Sequence, residues 1–321
     1  MRLRLSPSLV LLAVLALLVT ACGRETEETT APAGGTGDLS GQVEVDGSST
    51  VGPLVTAAAE QFQGEQPGVR VTVGISGTGG GFERFCAGET DISNASRPIK
   101  ADEEAPICQQ NGVEYTELQV ATDALTVVTN KENDWADCLT TDQLKKIWEP
   151  GAEGKVTTWD QVNADFPKEK IDLYGPGTDS GTFDYFTDEI NGEEGASRSD
   201  YQASEDDNTI VTAVVGEPGG LGYFGFSYFE ENQDTLNAVP IDSGNGCVTP
   251  SVESAQAGEY TPLSRPLFIY VKNESLQRPE VKAFVRYILD NAQSIAETAQ
   301  FVPLNEEQLA ESLSRFEQAS A

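Results

Sequence analysis

The sequence predicts a mixed α/β fold of two lobes with a ligand cleft between them. Short alternating apolar runs such as Val69, Val71, Val73 are interleaved with segments whose apolar residues return every third or fourth position, such as Val51, Leu54, Val55, Ala58, Ala59 and Phe62. These are the strand and helix periods. One junction, strand then glycine- and hydroxyl-rich turn then helix start, occurs three times, at 46–50, 76–82 and 177–182. About 280 residues follow the N-terminal segments, enough for two lobes of ordinary size.

Arg2 and Arg4 precede an apolar run from Leu9 to Val19, which reads as a signal peptide too short for a membrane span. The run ends Val19-Thr20-Ala21-Cys22, similar to a bacterial lipobox, which implies cleavage before Cys22 and a lipid on its sulfur. Residues 23–41 are rich in Glu, Thr, Gly, Ala and Pro and cannot bury enough apolar surface to fold. They are expected to form a flexible tether reaching roughly 20–25 Å. The protein is thus expected on the outer face of the cell membrane, held by its lipid anchor.

In the folded part, Val43-Glu44-Val45 reads as a strand and 51–62 as a helix, with Pro53 in its first turn and Ser49 or Thr50 as its cap. A strand over 69–73 meets Ser76-Gly77-Thr78-Gly79-Gly80-Gly81, and a short helix is predicted from Phe82 to Ala87, closed by Gly88. Ile92 marks a short buried strand, and Arg97 before Pro98 is extended. Leu125 to Val128 reads as a strand near the crossing into a second lobe. Leu144, Ile147 and Trp148 then form a helix behind Thr140-Thr141-Asp142, and Thr158-Trp159 opens another short segment. Ile171 to Tyr174 is a strand that meets Gly177-Thr178-Asp179-Ser180-Gly181-Thr182, with Phe183, Phe186 and Ile190 at helical spacing behind it. A helix over 209–215, a strand near 221–224, a returning strand over 262–271 and a last helix burying Val281, Phe284, Val285, Ile288 and Leu289 complete the reading. The expected lobes are 42–121 with 265–321, and 122–264.

Composition excludes several function classes. There is no histidine, so neither a Ser-His-Asp or Cys-His catalytic site nor a histidine metal site can form. Ser180 lies in Asp-Ser-Gly rather than in the hydrolase turn. A binding protein is expected, not an enzyme, with no cofactor or metal. With 52 acidic against 20 basic residues the net charge is −32, which argues against nucleic acid and anionic lipid as direct partners. Beyond Cys22 four cysteines remain, an even number that suits disulfides in an exported chain. Of the three pairings, Cys86–Cys108, close in sequence, and Cys138–Cys247, in the other lobe, are expected.

The three junctions share a chemistry. The first N–H groups of a helix have no partner within it and attract anions, glycines allow close approach, and hydroxyls add donors. Arg97, at a strand end beside two such turns, offers a planar fork for an oxyanion, with Arg198 as a second candidate cation. A small anion held between the lobes follows.

Asp46-Gly-Ser-Ser-Thr-Val51, Ser76-Gly-Thr-Gly-Gly-Gly-Phe82, Asp91-Ile-Ser-Asn-Ala-Ser-Arg97 and Gly177-Thr-Asp-Ser-Gly-Thr182, in this order, resemble the PstS-like substrate-binding proteins of bacterial phosphate ABC transporters. Ser-Arg-Pro with nearby cysteines is similar to the SphX branch. The resemblance implies a type II periplasmic-binding-protein-like fold that closes over inorganic phosphate and delivers it to permease subunits, acting as a monomer. It implies phosphate contacts from Ser49, Thr50, Val51, Thr78, Ser96, Arg97, Ser180, Gly181 and Thr182. Two positions depart from the pattern. Many relatives carry aspartate at the place of Ser96, accepting the ligand's proton, and arginine at that of Pro176. Asp46, Asp179 or a backbone carbonyl remain as proton acceptors, and another oxyanion such as sulfate or molybdate remains as the alternative ligand.

Overall fold

Val43 and Val45 lie in register with Val71 and Val73, and this parallel pairing begins the sheet. The structure, a computed structural model, describes residues 39–321. Its first elements are β1 (Gly41–Gly47), α1 (Gly52–Glu65), β2 (Val69–Val73), α2 (Gly77–Cys86), β3 (Ile92–Ala95), α3 (Ala105–Gln110) and the long strand β4 (Tyr115–Asn130). Then come β5 (Leu139–Thr140), α4 (Thr141–Trp148), α5 (Trp159–Val162), β6 (Asp172–Gly175) and α6 (Gly181–Phe186), which continues as a π-helical turn over Thr187–Asn191. β7 (Gln202–Ala203), α7 (Asp207–Gly216), β8 (Gly220–Gly225), α8 (Phe226–Glu231), β9 (Leu236–Ala238), β10 (Ile241–Asp242), β11 (Cys247–Val248) and α9 (Val252–Gln256) follow. β12 (Ser264–Lys272) precedes α10 (Pro279–Asp290), α11 (Ala292–Thr298) and α12 (Glu306–Ala319).

The main sheet runs β2-β1-β3-β12-β4-β8-β6-β7, with β9 beside β4. β1, β2 and β3 are parallel to their neighbours within that trio, as β6, β7 and β8 are within theirs. Parallel neighbours require crossovers, and helices supply them. The antiparallel strands β12 and β4 join the two groups. A small sheet, β11-β10-β5, stands apart.

Two large apolar cores flank this junction. One gathers Val43, Leu54, Phe62, Leu118, Ala121, Leu267 and Phe284. The other gathers Leu125, Val127, Trp148, Phe186, Tyr223 and Leu263. β4 therefore leaves the first core at Ala121 and enters the second at Leu125, and the returning chain passes from Leu263 to Leu267. Trp148 is fully buried, with the rings of Tyr223, Tyr201 and Phe186 at 5.0, 5.5 and 5.7 Å. Burying each such side chain contributes roughly 1.5–3 kcal/mol.

Several local expectations are revised. The helix expected from Phe82 begins at Gly77, so the glycines form its first turns. Packing imposes this: a Cβ on Gly81 would stand 2.5 Å from Gly47 Cα and 2.9 Å from Ser93 Oγ, so only glycine lets α2 settle on β1 and β3. Neither Ser49 nor Thr50 caps α1; Val51 holds that position, and Ser48 Oγ accepts the Val51 N–H at 3.4 Å. The strand read over 125–128 is the distal part of β4. Two helices, α11 and α12, follow the one read as last. Leu39 packs on the first core and Gly41 already belongs to β1, within the stretch read as tether.

Both expected disulfides are present. Cys86–Cys108 joins α2 to α3, and Cys138–Cys247 ties the approach to β5 to β11. Cys22, the expected signal peptide and the expected tether as far as residue 38 lie outside the described residues. Among the described residues no helix is long and apolar enough to cross a membrane.

Candidate functional site

Parallel strands that leave a sheet on the same side place their following turns together, and ligands in such sheets sit beyond the carboxyl ends of the strands. Here a cavity of about 420 Å³ occupies that place. Its lining comes from Ser48, Ser49 and Thr50 after β1, from Gly77, Thr78 and Gly79 at the start of α2, and from Ser96, Arg97 and Pro98 after β3. Opposite stand Gly181, Asp184 and Tyr185 of α6, with Asp188, Glu189 and Glu194 beyond, and the start of β12 adds Arg265 and Pro266. The size suits a small ligand.

The three junctions thus converge. Thr78 Oγ1 accepts the Ser96 N–H at 3.2 Å and lies 3.0 Å from Ser96 Oγ, tying α2 to the tip of β3. Gly181 comes up against Thr50 from the other side: a Cβ there would lie 3.3 Å from Thr50 Oγ1. Of the residues singled out in the sequence, Ser49, Thr50, Thr78, Ser96, Arg97 and Gly181 line the cavity. Val51, Ser180 and Thr182 do not. The Val51 N–H is taken by Ser48, and Ser180 Oγ accepts the Thr182 N–H at 3.2 Å, so these two amides serve the helix starts instead.

The arginines divide clearly. Arg97 lines the cavity but is clamped by Glu104: Nη1 and Nη2 donate to its two carboxylate oxygens at 2.8 and 2.7 Å, and Nη1 also donates to Pro98 O at 3.1 Å. Glu104 is partly buried, which alone would raise its pKa; hydrogen bonds from Arg97 and the Lys100 N–H outweigh this and hold it below the usual carboxylate range. Arg198 is not a site residue. It is buried, donates to Asp200, Ile147 O and Val156 O, and lies outside the cavity lining. Arg265, not singled out from the sequence, enters the cavity. Its Nε donates to Asp123 Oδ2 at 3.2 Å, its Nη2 donates to Thr50 Oγ1 at 3.1 Å, and its Cζ sits 3.6 Å from the centre of the Tyr185 ring. One signal was available: Ser264-Arg265-Pro266 repeats the tripeptide Ser96-Arg97-Pro98.

Four carboxylates face these cations. Burial pushes the Asp184 carboxyl above its ordinary value; Glu194 adds to this and Arg265 opposes it. Neither aspartate expected to accept a ligand proton lines the cavity. Asp46 is buried against Arg84 and the Gly47 N–H, and Asp179 is exposed. Among the described residues no cluster of acidic or cysteine side chains could hold a metal.

Two strand–helix groups around separate cores, joined by two crossing strands with a polar cavity at the join, define a binding protein of the periplasmic type. The sequence agrees: residues 26–292 match the PBP superfamily domain, and the chain belongs to that family. Within it, the chain is 47% identical to Protein SphX of Synechocystis over 95% of its own length and 87% of that protein. It is 39% identical to the phosphate-binding protein PstS of Staphylococcus saprophyticus, over 94% of its own length and 90% of that protein. A crystal structure of a possible phosphate binding protein from Planctomyces limnophilus superposes with a TM-score of 0.83 at 44% identity, covering 88% of this chain and all of that one.

Proposed function

We propose that the chain captures inorganic phosphate in this cavity and delivers it to the permease subunits of an ABC transporter. The observation that carries the reading is the convergence of Thr50, Thr78, Ser96 and Gly181 with Arg97 and Arg265 on one small cavity, in a chain related to PstS and SphX proteins. Each hydrogen bond to a charged group contributes about 1.5–3 kcal/mol net, so four or five reach the roughly 8 kcal/mol of a micromolar complex. The lobes we assign are 42–121 with 265–321, and 122–264; the membership of the two cores supports this division. The lipobox-like Cys22 supports a lipid-anchored protein on the extracytoplasmic face of the cell membrane, and we take it to act as a monomer. Binding without turnover is our reading, since no histidine is present to serve as base.

Titration calorimetry of the purified full-length protein tests this. Phosphate is expected to bind at micromolar concentration or below, and sulfate and molybdate at least tenfold more weakly. Tighter sulfate or molybdate binding would transfer the function to that oxyanion.

A further inference from the structure

A phosphate in this cavity faces Asp184, Asp188, Glu189 and Glu194 along one wall, so it needs a guanidinium with N–H groups still to give. A guanidinium carries five such donors. Arg97 spends three, two of them closing its fork on both oxygens of Glu104, and keeps only the Nε–H and one Nη2–H. Arg265 spends two, the Nε–H on Asp123 and one Nη2–H on Thr50. Both N–H groups of Nη1 and the second of Nη2 are uncommitted, so Nη1 and Nη2 still have donors to give. Thr50 accepts from Arg265, which leaves the hydroxyl's own proton to donate onward.

We propose that Arg265 supplies the positive charge that holds the bound anion, taking two of its oxygens on the Nη1–Nη2 edge beside the Thr50 hydroxyl. This rests on the phosphate-binding reading and names the residue on which that reading depends most. Three elements fix the guanidinium before any ligand arrives. Its position is set by β12, where Arg265 is in register with Asp123 of β4. Asp123 lies between Ala121 of the first core and Leu125 of the second, and Arg265 lies between Leu263 and Leu267 in the same way. The charge is therefore rooted where the chain crosses between the cores, and donors from both sides meet it there. Its plane is held by the Tyr185 ring, whose hydroxyl donates to Pro262 O at 2.6 Å. Its side chain is 20% exposed, which strengthens a charge-assisted contact relative to one in open water.

The test compares phosphate binding by calorimetry for wild type, Arg265→Gln, Arg265→Lys, Arg97→Gln and the double variant Asp123→Asn/Arg265→Gln, with thermal unfolding of each without phosphate. Arg286→Gln, on the exposed face of α10, is the unaffected control. Two charge-assisted hydrogen bonds correspond to a loss of about 100-fold or more for Arg265→Gln. Arg265→Lys is expected to recover part of this, since it restores the charge but not the fork, and Arg97→Gln to lose at least tenfold less than Arg265→Gln. The double variant removes the stranded Asp123 charge, so it is expected to melt near wild type and still bind as poorly as Arg265→Gln. A double variant that folds and binds within threefold of wild type overturns the proposal, as does an Arg97→Gln loss equal to that of Arg265→Gln. If wild type binds sulfate or molybdate instead, the phosphate reading fails, and the same losses measured with that anion still uphold Arg265. A wild-type protein that binds no oxyanion overturns both.

Discussion

Asp207 illustrates how burial sets chemistry at the scale of one side chain. It lies in the first turn of α7, where a carboxylate is ordinarily favoured by the helix N-terminus. Burial nevertheless dominates and pushes its pKa up to about 6; Asp206 and Glu205 add to this, and a hydrogen bond from the Gly225 N–H opposes it. The unfolded value is near 4. Between the two values the folded state holds more protons than the unfolded one, so this residue lowers stability as pH rises from about 4 to about 6. Asp207→Asn keeps an acceptor for Gly225 and removes the cost. The variant is expected to gain about 1–3 kcal/mol over wild type at pH 7 and nothing at pH 4, read from urea unfolding at both values. At the same scale, Arg97 was legible as a cavity residue because it stands beside two glycine turns. Its capture by Glu104 was not, because nothing in the spacing of residues 97 and 104 distinguishes a bidentate pair from two solvated charges.

Elements were legible where their signals are local. α4 begins at Thr140 with a reciprocal Thr140–Gln143 cap, and Leu144, Ile147 and Trp148 bury its apolar face. α2 departs from its expected start for the opposite reason. Glycine is a poor helix former, so a run of Gly77, Gly79, Gly80 and Gly81 reads as a turn, and only contact with β1 and β3 makes it helical. The far end of α2 is stapled to α3 by Cys86–Cys108, and Glu104, which grips Arg97, is the N-cap residue of α3. The disulfide thus ties α3 to α2, and the ion pair ties the start of α3 to the turn after β3, beside the cavity. Replacing both cysteines by serine is expected to cost about 2–5 kcal/mol of stability. Urea midpoints without reductant check it: the double serine variant, which keeps Cys138–Cys247, should unfold at lower urea than wild type.

Over the whole molecule, the charge of −32 sets a background that local contacts must overcome. Self-repulsion destabilises a compact state, and salt screens it over about 8 Å at physiological strength. The melting temperature of the ligand-free protein is therefore expected to rise between 50 mM and 500 mM sodium chloride, as differential scanning calorimetry would show; a fall would mean that the ion pairs outweigh the net charge. Anion capture in so acidic a molecule works because its donors act at hydrogen-bond distance, inside the screening length.

The sequence by itself determined the α/β class, the three strand–turn–helix junctions, the two disulfide pairs and most of the donors around the cavity. Each follows from short-range periodicity, turn chemistry or the number and positions of the cysteines. Tertiary structure alone decided which partners each arginine meets. Arg97 and Arg265 stand in the same tripeptide, and only the register of β12 against β4 sets Arg265 over Asp123, Thr50 and Tyr185 while Glu104 closes on Arg97. The reason is physical: period and propensity act over a few residues, whereas a guanidinium's partners are fixed by which distant strands lie side by side.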